Sequence, residues 1–270
     1  MTEIDVRLEA LVDAGGEPAI TLPDELEVAH GGPFRLPERI VYANFVSSVD
    51  GIAAIAGIEM SSAAISGGAP ADRFMMALLR AVADAVVVGA GTLREHGGPW
   101  TAEKAFPAGT DAFRRLRAGM SSAEAPTLVV VTASGELPAD HPSIADALVV
   151  TTSSGARTLA EREVRCAEAI DVGDVEEVGG PDVIDQLRER GFDRILTEGG
   201  PKLMGAMVEA GAVEQLFLTI SPKLVGGGPG RPPLTDEVDL LETGDGMRLI
   251  GVRRAGDYLF LRYELTGGSG

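Results

Sequence analysis

The sequence predicts an α/β fold with one mixed, mostly parallel central sheet, helices on both of its faces, and a C-terminal antiparallel hairpin. Continuous apolar runs at 84–89 and 127–132 are typical of parallel strands that are buried on both faces. Helical patterns alternate with these runs, as in 70–83, where Phe74, Leu78 and Val82 fall on one face. Such alternation favours a layered α/β domain over a helical bundle or a β-sandwich.

The predicted elements follow one another without a linker that would separate two domains. In chain order they are a strand at 39–45, a helix at 70–83, a strand at 84–89, a helix near 111–118, strands at 127–132 and 147–152, a helix near 155–162, a strand near 167–171, a helix near 181–190, a strand at 194–197, a helix at 201–210, and strands at 213–220, 247–255 and 258–263. The segments 56–69 and 93–109 are predicted loops, and Gly256-Asp257 predicts the hairpin turn.

These elements define one domain over residues 39–264. We expect residues 1–38 to form an extension that packs on this domain, and 265–270 to form a flexible tail. Within the extension, Leu8, Leu11 and Val12 have the spacing of one face of a short helix.

Composition excludes several classes of function. The chain has 270 residues and a formal net charge of −18, which argues against a nucleic-acid-binding protein because such proteins need a basic face. No apolar run reaches the roughly 18 residues of a membrane span, and no signal-peptide pattern precedes the domain, so we expect a cytoplasmic protein. One cysteine, Cys166, and scattered histidines offer no pattern for a disulfide or a metal site.

The stretch 194–204 carries the strongest single indication of a ligand site. It reads as a short buried strand, a glycine pair at Gly199 and Gly200, and a helix with Pro201 in its first turn. Backbone N–H groups at such a helix N-terminus suit a phosphate group, and Glu198 lies at the strand end where open α/β sheets bind ligands. A plain strand–turn–helix connection is the alternative.

Two further strand ends carry glycine or small polar residues, at 50–51 and 89–92. In a mostly parallel sheet, these ends gather with Glu198 at one edge and frame a dinucleotide cleft. The pair Gly89 and Gly91 does not begin a Rossmann fingerprint, because position 94 is Arg94. Motifs of hydrolases and kinases are absent from the sequence, whereas hydride transfer needs few reactive side chains because the cofactor supplies the chemistry.

Four motifs in this order resemble the reductase domain of the bifunctional riboflavin-biosynthesis deaminase–reductases. They are Ser47-Ser48-Val49-Asp50-Gly51, the run from Ala81 to Thr92 (AVADAVVVGAGT), Thr197-Glu198-Gly199-Gly200-Pro201, and Ser221-Pro222-Lys223-Leu224-Val225-Gly226-Gly227. The resemblance extends over about 39–264. It implies a dihydrofolate-reductase-like fold and, because the zinc deaminase domain is missing, a stand-alone pyrimidine reductase.

The resemblance further implies an NADPH-dependent reductase of a small heterocycle, and a homodimer. The residues assigned to the cofactor, with serine and threonine positions near strand ends included, are Ser47, Gly51, Ser66, Gly89, Gly91, Thr92, Thr132, Ser134, Gly199, Gly200 and Leu203. The residues assigned to the substrate are Asn44, Asp50, Arg80 and Glu198, and Asp50, His96 and Glu198 are the candidates for managing a proton. Ser134 and Ser153 are candidates for the adenosine 2′-phosphate.

Two positions depart from the family pattern. Asn44 stands where family members commonly have lysine, and His96 stands where they have an acidic residue. These departures leave open whether the substrate is the riboflavin intermediate or a dihydrofolate-like pterin, or whether the chain binds NADP without turnover. For individual residues, Asp50 is alternatively a turn residue, Arg80 a partner of Asp84, and His96 a solvated loop residue.

Overall fold

The computed structural model describes residues 4–58, 60–120, 122–240 and 246–265. Its strands are β1 (Glu9–Asp13), β2 (Ala19–Ile20), β3 (Phe34–Arg35), β4 (Ile40–Ser48), β5 (Ala85–Gly89), β6 (Thr127–Thr132), β7 (Leu148–Thr151), β8 (Glu168–Asp171), β9 (Arg194–Thr197), β10 (Gln215–Ser221), β11 (Met247–Ala255) and β12 (Tyr258–Leu265). Its helices are α1 (Asp24–His30), α2 (Ser61–Ser66), α3 (Pro70–Val82), α4 (Ala90–Glu95), α5 (Ala102–Ala105), α6 (Thr110–Gly119), α7 (Ser153–Glu161), α8 (Gly180–Glu189) and α9 (Pro201–Glu209).

A ten-stranded sheet in the order β1-β11-β12-β10-β4-β9-β5-β6-β7-β8 forms the centre of the molecule. The strands from β10 through β8 pair in parallel. Strand β12 pairs antiparallel with both β10 and β11, and β11 pairs antiparallel with β1. This mixed sheet with its C-terminal hairpin confirms the predicted fold class.

Helices cover both faces of the parallel strands, because those strands present apolar side chains to both sides. Val86 and Val88 of β5 contribute to one core cluster with α3 and α6, and Ala85 and Val87 contribute to a second cluster with α8 and α9. All of these strand residues are fully buried. Burial of apolar area on both faces, worth roughly 25 cal/mol per Å², stabilises this layered arrangement. No described helix is long and apolar enough to cross a membrane.

In the described part of the N-terminal segment, residues 4–38, the predicted helix through Leu8, Leu11 and Val12 is not formed. Residues 9–13 form β1, which pairs with β11 and lengthens the main sheet. The helical spacing of Leu8, Leu11 and Val12 was therefore misleading: Leu8 is buried, whereas Leu11 and Val12 are exposed. The free edge of β11 outweighed a weak local helical preference.

Other differences concern short elements. The predicted loop at 56–69 contains α2, and the predicted loop at 93–109 contains the end of α4, all of α5 and a turn of 3₁₀ helix at Pro107–Gly109. Glycine and proline at their ends keep these helices short, so their periodicity is not visible in the sequence. Leu265, the first residue of the predicted tail, belongs to β12, and residues 266–270 lie outside the described residues.

Candidate active site

Most predicted site residues lie at or just after the carboxyl ends of neighbouring strands β4, β9, β5 and β6, whereas Asn44 lies within β4, Ser66 on α2 and Arg80 on α3. Strand β9 lies between β4 and β5, because Thr197 is in register with Ala43 of β4 and with Val87 of β5. The next residue, Glu198, continues the pairing by donating its backbone N–H to the carbonyl of Val87 at 3.0 Å. Glu198 thus lies between the middle of β4 and the last residues of β5.

The carboxylate of Glu198 binds two of the residues predicted to contact substrate. Asn44 Nδ2 donates to Glu198 Oε1 at 2.9 Å, and Arg80 donates to Glu198 Oε2 from Nε at 2.9 Å and from Nη2 at 2.6 Å. The side chains of Arg80 and Glu198 are only 10% and 8% exposed. Charge-assisted hydrogen bonds in a buried setting hold this carboxylate in one orientation. We call Asn44, Arg80 and Glu198 the Glu198 cluster.

The alternative partner for Arg80, Asp84, is occupied elsewhere. The carboxylate of Asp84 accepts hydrogen bonds from the backbone N–H groups of Asp193 and Arg194 at 3.0 and 2.7 Å. Arg80 lies near the end of α3 and reaches the sheet from above, so its partner is Glu198, far away in sequence.

Asp72, which the sequence analysis did not select, is buried at the start of α3, the helix that carries Arg80 in its last turn. Burial raises its pKa to about 6, hydrogen bonds from the hydroxyl groups of Thr219 and Ser66 oppose the shift, and the negative charge of Glu198 adds to it. Acidic residues are common in the first turn of a helix, so nothing in the sequence singled out Asp72 as a site residue. The signal that could have found it was its position on the helix that carries Arg80.

Ser66 belongs to the same end of the site. Its hydroxyl stabilises the Asp72 carboxylate and also accepts a hydrogen bond from the backbone N–H of Gly68 at 3.3 Å. The carbonyl of Ser66 accepts a hydrogen bond from the Tyr258 hydroxyl at 2.8 Å. These contacts connect Ser66 of α2 to Asp72 of α3 and to Tyr258 of β12.

The two glycine turns predicted to hold a cofactor are adjacent. A Cβ atom built on Gly200 would lie 3.6 Å from Thr92 Oγ1, and one built on Gly89 would lie 3.9 Å from Leu203 Cδ2. The turn after β5 and the turn after β9 thus contact each other through these four residues.

The backbone at these turns is partly open. A Cβ atom built on Gly91 would meet nothing within 4 Å, so this backbone is open, whereas one on Gly199 would lie 2.6 Å from Leu203 Cδ2. Helix α9 begins with Gly200 as N-cap and Pro201 in the first position, and the N–H groups of its first turn have no acceptor within the helix. Open glycine backbone beside a helix N-terminus fits a dinucleotide phosphate.

The end of β6 and the loop after it contain the next two predicted cofactor residues, and β6 is the strand beside β5. Thr132 Oγ1 accepts a hydrogen bond from the N–H of Gly135, and Ser134 Oγ accepts one from Glu136. Arg94 of α4 donates to the carbonyl of Glu136 at 3.2 Å, which joins this loop to the turn after β5. Ser134 is exposed here.

Ser153, the other 2′-phosphate candidate, uses its hydroxyl differently. It donates to Asp171 Oδ1 at 2.9 Å, so a carboxylate already faces it. An anionic phosphate is disfavoured beside a carboxylate, and Ser134 is the better candidate of the two.

Asp50 anchors a second loop instead of pointing into the Glu198 cluster. Its carboxylate accepts hydrogen bonds from the backbone N–H groups of Val225 at 3.1 Å and Gly226 at 2.6 Å. A hydrogen bond from the Ser48 hydroxyl, followed by these two backbone N–H groups, lowers the pKa of Asp50 to about 2. Asp50 is therefore ionised at neutral pH, which disfavours it as a proton donor.

Ser47 and Gly51 complete this turn. Gly51 adopts a φ of +85° and donates its N–H to the carbonyl of Ser48 at 2.9 Å, so the position requires a glycine-like conformation. Ser47 is buried, and its hydroxyl donates to the same Ser48 carbonyl at 3.2 Å. Both residues shape the turn at the end of β4.

His96 lies in a small aromatic cluster and is not a freely solvated loop residue. Its Nδ1 is 3.1 Å from the carbonyl of Thr92, and its ring centroid is 6.0 Å from that of Trp100. His141 packs on the other side of the cluster and donates from Nε2 to the His96 carbonyl at 2.7 Å. Among the described residues, no hydrogen bond links the His96 side chain to Glu198 or Asp50.

Fold and site together define an α/β protein with two adjacent glycine turns at the carboxyl edge of its parallel strands and a buried polar cluster next to the second turn. The chain belongs to the RibD C-terminal domain family, whose model matches residues 39–260. Members of this family are reductases of the riboflavin pathway. The resemblance read from the sequence motifs is thereby confirmed.

Solved structures share the fold at low sequence identity. A pyrimidine reductase-like protein from Corynebacterium diphtheriae superposes with a TM-score of 0.68 at 23% identity, covering 90% of this chain and 99% of that one. The Thermotoga maritima deaminase/5-amino-6-(5-phosphoribosylamino)uracil reductase gives 0.60 at 18% identity, covering 84% of this chain and 57% of that one. The Saccharomyces cerevisiae riboflavin biosynthesis reductase Rib7 gives 0.55 at 14% identity, covering 84% and 90%. No curated protein matches the sequence.

Proposed function

We propose that this protein is an NADPH-dependent reductase of a pyrimidine- or pterin-type heterocycle, similar to 5-amino-6-(5-phosphoribosylamino)uracil reductase. One observation carries the proposal. Glu198, which binds Asn44 and Arg80, is followed directly by Gly199 and Gly200, which adjoin the turn after β5. A substrate held by the cluster and a cofactor held by the glycines would therefore meet at one turn.

The glycine turns and α9 would hold the cofactor's phosphates. Gly91 and Gly200 offer open backbone, Thr92 offers a hydroxyl group, and the first turn of α9 offers N–H donors. Ser134 would lie at the adenosine end, two strands away from Glu198. NADPH, when bound, supplies the hydride.

At the other end, the Glu198 cluster would orient the heterocycle. The Glu198 carboxylate has lone pairs beyond those used by Asn44 and Arg80, and these can accept N–H groups of a pyrimidine or pterin ring. Burial raises the pKa of Asp72 to about 6, so this carboxyl group, whose charge state is coupled to that of Glu198, could hold a proton near neutral pH. Asp50 would hold the loop at Val225 and Gly226 in place and remain ionised.

The experiment is to incubate the purified chain with NADPH and a candidate substrate, and to follow the loss of NADPH absorbance. The deaminated ribosylaminopyrimidine phosphate and dihydrofolate are tested separately. We expect oxidation with the first, because the family acts in the riboflavin pathway. Oxidation with dihydrofolate alone would redirect the proposal to a pterin, and NADPH binding without oxidation of either would favour a non-catalytic NADP-binding protein.

We also propose that the protein acts as a homodimer in the cytoplasm. The resemblance to the family supports both statements. Sedimentation of the purified protein tests the first, and fractionation of the source cells tests the second.

A further inference from the structure

Two side chains from distant parts of the chain hold the C-terminal end of α2. Lys223, in the loop after β10, donates from Nζ to the carbonyl of Ala64 at 2.7 Å. Tyr258, the first residue of β12, donates its hydroxyl to the carbonyl of Ser66 at 2.8 Å. The last four carbonyl groups of a helix have no partner within that helix, and these side chains bind two of them. We call Lys223 and Tyr258 the α2 clamp.

The two side chains of the α2 clamp meet at Gly67, the residue that follows α2. A Cβ atom built on Gly67 would lie 3.0 Å from Lys223 Nζ and 3.3 Å from the Tyr258 hydroxyl oxygen. Gly67 also adopts a φ of +67°, a left-handed conformation that glycine enters without a steric penalty. The clamp therefore closes directly around the turn after the helix, which leaves the end of α2 little freedom to rotate.

Ser66, whose carbonyl the clamp binds, also carries the hydroxyl group that reaches Asp72. Both residues are buried, at 3% and 6% exposure. The Ser66 hydroxyl donates to the Asp72 carboxylate and accepts the backbone N–H of Gly68 at 3.3 Å. Because this hydroxyl belongs to the residue that Tyr258 anchors, a shift of the helix end would draw it away from Asp72.

The other groups around Asp72 lie on β10, after β9 and on α3 itself. The Thr219 hydroxyl of β10 is the second hydrogen-bond partner of the carboxylate, and Glu198, after β9, adds a negative charge that opposes its ionisation. On α3, Arg80 is paired with Glu198, and Arg73 donates to a backbone carbonyl of α5. None of these groups belongs to the α2 clamp.

Within the described part of the chain, the clamp side chains bind carbonyl groups of α2, and neither forms a hydrogen bond or an ion pair with Asp72. Apart from the charge of Lys223, any effect of the clamp on Asp72 therefore passes through Ser66.

We propose that Tyr258 and Lys223 are positioning residues: by holding the end of α2, they keep the Ser66 hydroxyl on the Asp72 carboxyl group. The use of this arrangement in catalysis rests on the proposed function, in which Asp72 could hold a proton near neutral pH. A hydrogen bond from Ser66 favours the charged carboxylate, so the clamp would control how readily Asp72 releases that proton.

The test compares two variants that each lose one tyrosine hydroxyl from β12. Tyr258→Phe removes the hydroxyl of the clamp, and Tyr263→Phe is the matched control. Tyr263 packs at the margin of the second core cluster, and its hydroxyl has no hydrogen-bond partner among the described residues. Each variant is unfolded in urea at a series of pH values, alone and combined with Asp72→Asn. The stability gained through Asp72→Asn grows with pH until the folded protein has released the Asp72 proton, so the pH at which the gain levels off reports this carboxyl group.

That pH should be higher than in the wild type by roughly 0.5–1 unit for Tyr258→Phe and unchanged for Tyr263→Phe, because a weaker hydrogen bond from Ser66 stabilises the charged carboxylate less. Ser66→Ala should raise it at least as much, and Tyr258→Phe should add nothing in the Ser66→Ala background. An unchanged pH in Tyr258→Phe, or effects of the two substitutions that add, would overturn the inference.

Lys223→Met tests the other half of the clamp. It removes a positive charge as well as the hydrogen bond to Ala64, and loss of a positive charge by itself also raises the pKa of a carboxyl group. The two effects separate in the Ser66→Ala background, where the positioning effect disappears and a charge effect remains. A shift that persists there in full would overturn the assignment of Lys223.

Turnover separates this inference from the proposed function. If the wild type oxidises NADPH with substrate, the pH at which kcat falls should rise in Tyr258→Phe together with the pH found by unfolding. A kcat profile that stays in place while KM changes would contradict the positioning role. If no substrate is turned over, the proposed function fails, whereas the unfolding measurements use no NADPH and still decide whether the clamp holds Ser66 on Asp72.

Discussion

Arg80 and Glu198 form a buried ion pair with Arg80 Nη2 and Glu198 Oε2 separated by 2.6 Å, and this pair joins α3 to the turn that begins α9. Asn44 Nδ2 holds the other carboxylate oxygen. The residue that would orient the substrate is thus rigidly connected to the helix that would bind the cofactor's phosphates. This connection leads to the following predictions.

Glu198→Gln should reduce both stability and turnover. The substitution preserves volume but leaves the Arg80 guanidinium buried without a counter-charge, which costs about 3 kcal/mol in the free energy of unfolding. Arg80→Met/Glu198→Gln should recover much of that stability but not the activity. Urea unfolding and NADPH oxidation measure the two effects, and a double variant as unstable as Glu198→Gln alone would show that the pair does not explain the loss.

Gly91→Ala should strengthen the fold while weakening NADPH binding. Gly91 lies inside α4, where alanine is the better helix former by roughly 0.5–1 kcal/mol, and its new Cβ meets nothing within 4 Å in the protein. The methyl group would instead occupy the space of a bound phosphate. Gly119→Ala in α6 is the matched control, with an equally open position. Equal NADPH affinity in both variants would remove Gly91 from the cofactor site.

Asp72→Asn should raise stability at neutral pH and lower activity. The pKa of Asp72 is raised from 3.8 to about 6 in the folded protein, so the folded state binds this proton more tightly than the unfolded state. The contribution of Asp72 to the free energy of unfolding is fully present below pH 4 and is lost as the pH rises through 6. At pH 7 the free energy of unfolding is therefore about 3 kcal/mol lower than it would be if Asp72 stayed protonated.

Unfolding curves at several pH values check this prediction. The advantage of Asp72→Asn over the wild type should be largest above pH 6 and should disappear near pH 4. Thr158→Val in α7, which removes a hydroxyl group that donates to the Ser154 carbonyl, provides a control for loss of a polar group without titration. An advantage that is independent of pH would mean that Asp72 does not titrate in this range.

Asn44→Lys should improve turnover of the riboflavin-pathway substrate relative to dihydrofolate. The amide of Asn44 lies 2.9 Å from Glu198 Oε1, so a lysine ammonium can reach the same carboxylate and restore the charge common in the family. The ratio of kcat/KM for the two substrates is the measurement. An unchanged ratio would show that position 44 does not select the substrate.

The parallel layers were predictable from local sequence, because runs such as 84–89 must be buried on both faces wherever they lie. The edge strand β1 was not predictable from local sequence, because its partner β11 follows more than two hundred residues later in the chain. Nothing in the sequence around β1 distinguishes this strand from a helix. Whether a segment forms an edge strand depends on the sheet edge with which it can pair, and the local sequence does not show that edge.

The site residues also fall into two groups: those that local sequence indicates, and those whose partners lie far away in the chain. Gly91 and Gly200 could be proposed as cofactor residues from sequence, because a glycine turn beside a helix start suits an anionic ligand. The partner of Arg80 could not, since the nearby Asp84 has ideal helical spacing yet binds backbone N–H groups of β9 and its preceding residue. Asp72 was hidden for a related reason: only its burial in the folded protein distinguishes it from an ordinary acidic residue at a helix start.

The most direct test of the central claim is a titration of the purified protein with NADPH, in the presence and absence of the deaminated ribosylaminopyrimidine phosphate, for the wild type, Gly91→Ala and Glu198→Gln. The account predicts that the wild type binds NADPH and oxidises it only with substrate, that Gly91→Ala loses affinity for NADPH, and that Glu198→Gln keeps most of that affinity but loses oxidation. A wild-type protein that does not bind NADPH would contradict the account.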